Sequence, residues 1–174
     1  SIGENRDSLM KSKPGIDLAR LRDSISRHDW RTCQIISQSL FQEIGCIPSL
    51  GIAIAFIELY LPIFKKYHPN EGWMDIRIKE LRAVVSDGVL NDKWSVPLPE
   101  WNKVYSSPGA IEFVRAFERL WRMPRSLDQS DRCLSLMTDV IEEIFASFLV
   151  EQWGRANPEL WQALKNKNYI VSKH

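Results

Sequence analysis

The chain has 174 residues, of which 44% are hydrophobic and 26% are charged, and its formal net charge is +1. This balance excludes intrinsic disorder, which requires few apolar residues and a large net charge. The near-neutral charge also argues against a nucleic-acid-binding protein, because phosphate neutralisation requires clustered Lys and Arg. A chain of this length favours one domain with a sizeable core.

The first residues, 1–13, are polar and charged, and Pro14 and Gly15 mark their end. We predict a flexible N-terminal arm over 1–13 and a single helical domain over 14–174. The arm lacks the apolar run of a secretory signal, so the predicted location is the cytoplasm.

Two amphipathic segments follow the arm. Leu18, Leu21 and Ile25 recur at helical spacing and predict a helix over 16–27. Asp29 is placed to cap a second helix, which stops at Gly45. The two segments predict a helical hairpin.

The most apolar segment runs from Ser49 to Lys66 and is hydrophobic on almost every side. Such a helix is either the centre of a bundle or a membrane span. The apolar stretch from Ile47 to Phe64 only just reaches the length of a span, and Glu58 would be costly inside a bilayer. We therefore predict a buried central helix and no membrane contact.

The second half of the chain predicts further helices, over 71–86, 108–122, 127–154 and 158–165. Residues 88–108 are rich in proline and aromatic residues, which predicts an ordered loop with a short helix over 99–105. No strand-like alternation of useful length occurs. We predict an all-α fold, an irregular bundle of six to seven helices around the apolar central helix.

Catalytic and metal-binding motifs are missing from the sequence. The glycines are scattered singly, and no nucleophile elbow, zinc-protease motif or phosphate-binding loop occurs. Cys33, Cys46 and Cys133 have no metal-ligand spacing and form an odd set, so we predict free buried thiols. We predict no catalytic residue, no metal and no cofactor, and we expect a protein that is not an enzyme. An enzyme with an unlisted site around Glu58 and His68 stays open as an alternative.

Five residues are candidates for contacting a partner protein. Seven tryptophans are an excess for this length, and Trp73, Trp94 and Trp101 lie in or beside turns, with Tyr105 nearby. Trp and Tyr dominate protein-binding hot spots, although the same residues also serve as ordinary core. Glu58 is the fifth candidate, because a carboxylate in an apolar helix must be paired, protonated or exposed. The alternative for Glu58 is a structural ion pair with an Arg of a neighbouring helix.

One segment resembles a known family. The sequence AIAFIELYLPIFKKYHPN, from Ala53 to Asn70, joins an apolar helix containing Glu58 to a Leu-Pro step and a polar turn. It resembles the all-α immunity proteins of bacterial polymorphic toxin systems. The resemblance implies a cytoplasmic bacterial protein that binds and neutralises a cognate toxin, without turnover and as a monomer or homodimer. A regulatory or scaffold domain that docks another protein in an apolar groove is the alternative.

Overall fold

The structure, a computed structural model, describes residues 14–166, so the predicted arm over 1–13 and residues 167–174 lie outside it. Within this range the chain is all-helical, which confirms the predicted fold class. The helices are α1 (Pro14–Ser26), α2 (Trp30–Ile44), α3 (Cys46–Tyr67), α4 (Trp73–Asp87), α5 (Ala110–Arg122), α6 (Ser130–Ala156) and α7 (Pro158–Asn166), with a 3₁₀ turn at Met123–Ser126 between α5 and α6.

The predicted hairpin is formed by α1 and α2. Asp29 caps α2 as predicted, because its carboxylate accepts the Thr32 backbone N–H at 3.2 Å and the Thr32 hydroxyl at 2.6 Å. These hydrogen bonds hold the pKa of Asp29 below its usual value. His28 in the connecting turn has a positive φ of 57°, and its ring packs edge-on against Trp30.

The central helix α3 begins at Cys46, earlier than predicted, because Pro48 falls in its first turn, where no N–H is needed. Its buried side chains contact α2, α4, α5 and α6. Within residues 14–166 it is the one helix long and apolar enough to cross a membrane, and 56% of that apolar stretch is buried inside the protein. Burial on this scale is what the core helix of a bundle shows.

The most extensive helix pairing in the fold joins α5 to α6, and both also pack on α3. α5 begins at Ala110 rather than Pro108, because Gly109 has a positive φ of 86° and stands outside the helix. A side chain at Gly109 would overlap the Tyr60 hydroxyl and the carbonyl oxygen of Ser147. The glycine therefore lets the loop before α5 approach the core closely.

The loop between α4 and α5, residues 88–109, is held by many contacts. The short helix predicted over 99–105 is absent, and turns closed by Trp101 N–H to Leu98 O and Lys103 N–H to Glu100 O replace it. Prolines on both sides deprive this stretch of the N–H groups that a longer helix would need.

The cysteine prediction was wrong for two of the three residues. Cys46 and Cys133 form a disulfide that joins the start of α3 to the first turn of α6, with their Cα atoms 6.1 Å apart. Cys33 is free and buried as predicted, and burial raises the pKa of its thiol to about 11. The disulfide was missed because the two partners are 87 residues apart in sequence.

Candidate functional site

The largest of the cavities described in this fold is a groove between α1 and α3, with a volume of about 490 Å³. We call it the α1–α3 groove. From α1 it is lined by Leu18, Leu21, Arg22 and Ile25. From α2 and α3 it is lined by Leu40, Ile44, Pro48, Gly51, Ile52, Ala55 and Phe56.

The groove exists because α1 and α3 both pack on α2 and make little direct contact with each other. α1 packs on α2 in the hairpin, whereas α4, α5 and α6 pack on the other sides of α3. Among residues 14–166, no helix therefore packs closely over the apolar flank of α3 that faces α1. A cleft of this size and apolar lining falls in the range of protein pockets that bind ligands or partner segments.

The residues at the mouth and wall of the groove are small or exposed. Leu18 is 41% exposed, and Pro48 and Ala55 are also exposed. A Cβ built on Gly51 would meet no atom within 4 Å. Leu21, Leu40 and Phe56, by contrast, are buried and belong to the continuous core beneath.

Of the described residues that line the groove, Arg22 is the one that carries a charge. Its neighbours Asp23 and Arg27 form an exposed ion pair of 2.7 Å with each other. Within residues 14–166, Arg22 makes no ion pair or side-chain hydrogen bond. The groove therefore combines apolar walls with one guanidinium that is free to meet an anionic group.

Glu58, the first predicted contact residue, lies outside the groove. Its carboxylate forms a salt bridge with Arg82 of α4, and the two side chains are 40% and 57% exposed. The alternative of a structural ion pair with a neighbouring helix is therefore what the structure shows. Screening by water makes such an exposed pair a small contributor to stability.

Trp73 and Tyr105 are buried and bonded to each other. The indole N–H of Trp73 donates to the Tyr105 hydroxyl at 2.8 Å, and that hydroxyl donates to Glu71 at 2.7 Å. Burial, together with the Glu71 carboxylate, raises the pKa of Tyr105. Both aromatic side chains are less than a tenth exposed, so they present little surface to a partner.

Trp94 is also buried, in a stack of rings that holds the loop over 88–109. Its ring lies 3.9 Å from that of Trp121, and its N–H donates to the Trp121 carbonyl at 3.0 Å. Trp121 in turn donates to the Ser95 carbonyl, and Arg125 bonds the carbonyl of Trp94. The guanidinium of Arg77 covers the open face of Trp121 at 5.2 Å.

Trp101 is the predicted aromatic contact that the structure leaves accessible, at 40% exposed. Its neighbour Glu100 is bound by Arg77 of α4 at 2.9 Å, which fixes the turn that carries Trp101. The five predicted residues thus do not form one surface. Trp73, Trp94 and Tyr105 are buried. Glu58 forms an ion pair with Arg82 of α4, and Trp101 lies exposed on the loop.

His68 makes the contact that most resembles catalytic chemistry. Its Nε2 lies 2.8 Å from the Ser107 hydroxyl, and its ring is flanked by Phe64 and Tyr105, each 4.8 Å away between ring centres. Burial lowers the pKa of His68, which favours the neutral ring as a hydrogen-bond acceptor. Neither His68 nor Ser107 lines the groove or the two smaller cavities, so this pair connects the α3–α4 turn to the loop.

The acidic residues of the helices do not gather into a metal site. Glu142 accepts from Gln34 of α2 at 3.3 Å, whereas Glu143 is half-buried beside α5 and burial raises its pKa. Among the described residues, no group of three or more His, Cys, Asp or Glu side chains could hold a metal ion.

Comparison of the whole chain with protein-family models, curated proteins and solved structures gives no match. The α1–α3 groove is the largest of the cavities described. Sequence reasoning missed it because its residues looked like ordinary core. The available signal was the set of small residues, Pro48, Gly51 and Ala55, on one side of an otherwise bulky helix.

Proposed function

We propose that this chain is a non-catalytic protein-binding protein that docks a partner in the α1–α3 groove. The observation that carries the proposal is the open apolar cleft of about 490 Å³ beside the most apolar helix of the fold. Apolar clefts of this volume bind ligands or partner segments, because covering their walls removes apolar surface from water. A partner that covers the groove would remove that cost.

The resemblance of Ala53–Asn70 to immunity proteins supports a finer proposal, in which the partner is a toxin and binding silences it. The resembling segment and the groove overlap on α3, since Ala55 and Phe56 belong to both. On this proposal the protein works in the bacterial cytoplasm by occupying the toxin's surface. A regulatory or scaffold domain would use the same groove with a different partner.

The position of Glu58 does not support the enzyme alternative. That alternative required Glu58 to lie in a deep pocket with convergent polar groups, whereas Glu58 is paired with Arg82 and lines none of the three cavities described. The His68–Ser107 contact does not replace it, because no described cavity brings a substrate to either side chain.

The direct experiment measures binding to the protein encoded by the neighbouring gene, which is the natural candidate for a cognate toxin. Ala55→Arg places a charged side chain at the exposed wall of the groove without entering the core. We expect a loss of about 30-fold or more in affinity by calorimetry, the size of a hot-spot effect of about 2 kcal/mol.

Ala83→Arg is the matched control, because Ala83 is also an exposed helical alanine but lines a smaller cleft on the loop side of α4. It should bind as the wild type does. Equal affinity of both variants for the partner, with both folded by circular dichroism, would contradict a docking role for the groove.

A further inference from the structure

The dimensions of the α1–α3 groove match about two turns of a helix. On α1 its lining runs from Leu18 to Ile25, roughly 10 Å at 1.5 Å per residue. On α3 it runs from Pro48 to Phe56, roughly 12 Å. α1 and α3 thus line the groove over nearly equal lengths, with α2 beneath them. The space between them is of the kind that a third helix fills when helices pack ridge into groove.

Gly51 indicates how close the occupant comes. A glycine inside a helix destabilises it relative to alanine, and a methyl group at Gly51 would meet no atom of residues 14–166 within 4 Å. Ala55 lies one turn further along the same wall. Together they leave the backbone of α3 open to the close approach of another backbone.

Arg22 indicates the charge of the occupant. It stands at the groove and has no ionic partner among residues 14–166, whereas the adjacent Asp23 and Arg27 satisfy each other. A carboxylate beside an apolar face would meet the guanidinium as the rest of the face enters the groove. Charges in such positions select partners more than they raise affinity.

We infer that the groove takes an amphipathic helix of the partner protein, with apolar residues at helical spacing and a carboxylate on the edge that faces Arg22. This rests on the proposed function and names the chemistry of the partner that the same site accepts. The apolar side chains of that helix fill the cavity beside Gly51 and Ala55. The carboxylate on the edge of that helix pairs with Arg22 and so sets the direction of the helix in the groove.

The test uses three synthetic peptides of the same length, labelled for fluorescence anisotropy. The first is alanine-based, with Leu at i, i+4 and i+7 and Glu flanking that stripe. The second carries Lys in place of Glu, and the third carries two prolines inside the stripe, which prevents a helix. We expect the acidic peptide to bind about tenfold more tightly than the basic one, and the proline peptide to bind with no measurable affinity.

Charge reversal at the groove gives the decisive comparison. Arg22→Glu should invert the preference, so that the Lys peptide becomes the tighter ligand, and Ala55→Arg should abolish binding of both helical peptides. Ala83→Arg should leave every affinity unchanged. Equal affinities for the Glu and Lys peptides, an unchanged preference in Arg22→Glu, binding of the proline peptide, or no binding of the Glu peptide would each overturn the inference.

Sedimentation equilibrium distinguishes the rival occupant, a second copy of this chain. A dimer that dissociates in Ala55→Arg but not in Ala83→Arg would assign the groove to self-association and overturn the inference. Failure of this inference is separable from failure of the proposed function. If Ala55→Arg loses the cognate partner while the peptides show no preference, the groove binds a partner that is not an acidic helix.

Discussion

The loop over residues 88–109 and the α1–α3 groove are both rich in apolar residues, yet one is closed and the other open. The loop carries the aromatic residues that dominate protein interfaces, and its Trp94 and Tyr105 are buried with their polar atoms bonded inside the protein. The groove has smaller, mostly aliphatic residues along its mouth, and Leu18, Pro48 and Ala55 remain exposed there.

Residue type alone therefore does not locate a binding surface. A large aromatic ring buries well wherever a neighbouring helix offers a partner ring and a carbonyl acceptor, as Trp121 does for Trp94. A helix flank stays open where no neighbour reaches it, whatever its residues. Substitutions that alter one of the two regions and spare the other test this difference.

The disulfide at the end of the groove should give the largest effect. Cys46 lies between Ile44 and Pro48, both of which line the groove, and it is bonded to Cys133 across 87 residues. The chain-entropy model predicts that reduction lowers the free energy of unfolding by about 4 to 5 kcal/mol. Urea unfolding with and without reductant measures this change.

Cys33→Ala is the control for that experiment, because Cys33 is equally buried and forms no disulfide. In this variant the reductant should have its full effect. Disulfides persist in oxidising compartments, so the Cys46–Cys133 bond is at odds with the predicted cytoplasmic location. Unchanged wild-type stability in reductant would contradict a stabilising role for this bond.

The ring stack of the loop should give the next largest effect. Trp121→Ala removes the partner of Trp94 and the surface covered by Arg77, so we expect a loss of about 3 to 5 kcal/mol in urea unfolding. Trp101→Ala, at a side chain 40% exposed, should cost well under half of that. Equal losses for the two variants would show that the loop is not anchored by its buried rings.

Gly51→Ala should separate stability from binding in the groove. Alanine is the better helix former by about 0.5 to 1 kcal/mol, and the added methyl group meets no atom, so thermal stability should rise. Affinity for the partner should fall, because the methyl group occupies the wall that the partner approaches. Gly109→Ala is the contrasting case, and it should destabilise the protein through its positive φ and its overlap with Tyr60.

The smallest effect should be a pH dependence at the His68–Ser107 contact. Burial lowers the pKa of His68, so the unfolded state takes up a proton first as the pH falls. The contribution of neutral His68 to the free energy of unfolding is fully present above the ordinary histidine pKa of about 6.5. It is lost as the pH falls through the lower pKa that His68 has in the folded protein. In urea unfolding, wild type should lose more stability between pH 7.5 and 5.5 than His68→Gln does. Parallel losses would contradict this assignment.

Helical periodicity predicted most of the architecture. The stripes of Leu18, Leu21 and Ile25 and the cap at Asp29 depend on neighbours in sequence, and these elements form as predicted. The short helix over 99–105 failed because contacts with α4 and α5, such as Arg77 with Glu100, determine the shape of that stretch. The ion pair of Glu58 was expected as one alternative, but its partner Arg82 could not be chosen from sequence.

The groove could not be predicted because it depends on a contact that is missing. Whether Gly51 and Ala55 face a neighbouring helix or open space is decided by the positions of α1 and α3 on α2. The small residues Pro48, Gly51 and Ala55 mark a side of α3 that another backbone can approach, but local sequence does not say whether that neighbour belongs to this chain. The same is true of the Cys46–Cys133 bond, which requires the start of α3 to meet the start of α6.

We propose that the α1–α3 groove, and not the aromatic loop, is the docking surface. Hydrogen exchange of the chain alone and in complex with its partner tests this most directly. We expect slower exchange in α1 and in the first half of α3, around Gly51, with residues 88–109 unchanged. Protection confined to the turn around Trp101, with no change in α1 or α3, would contradict it.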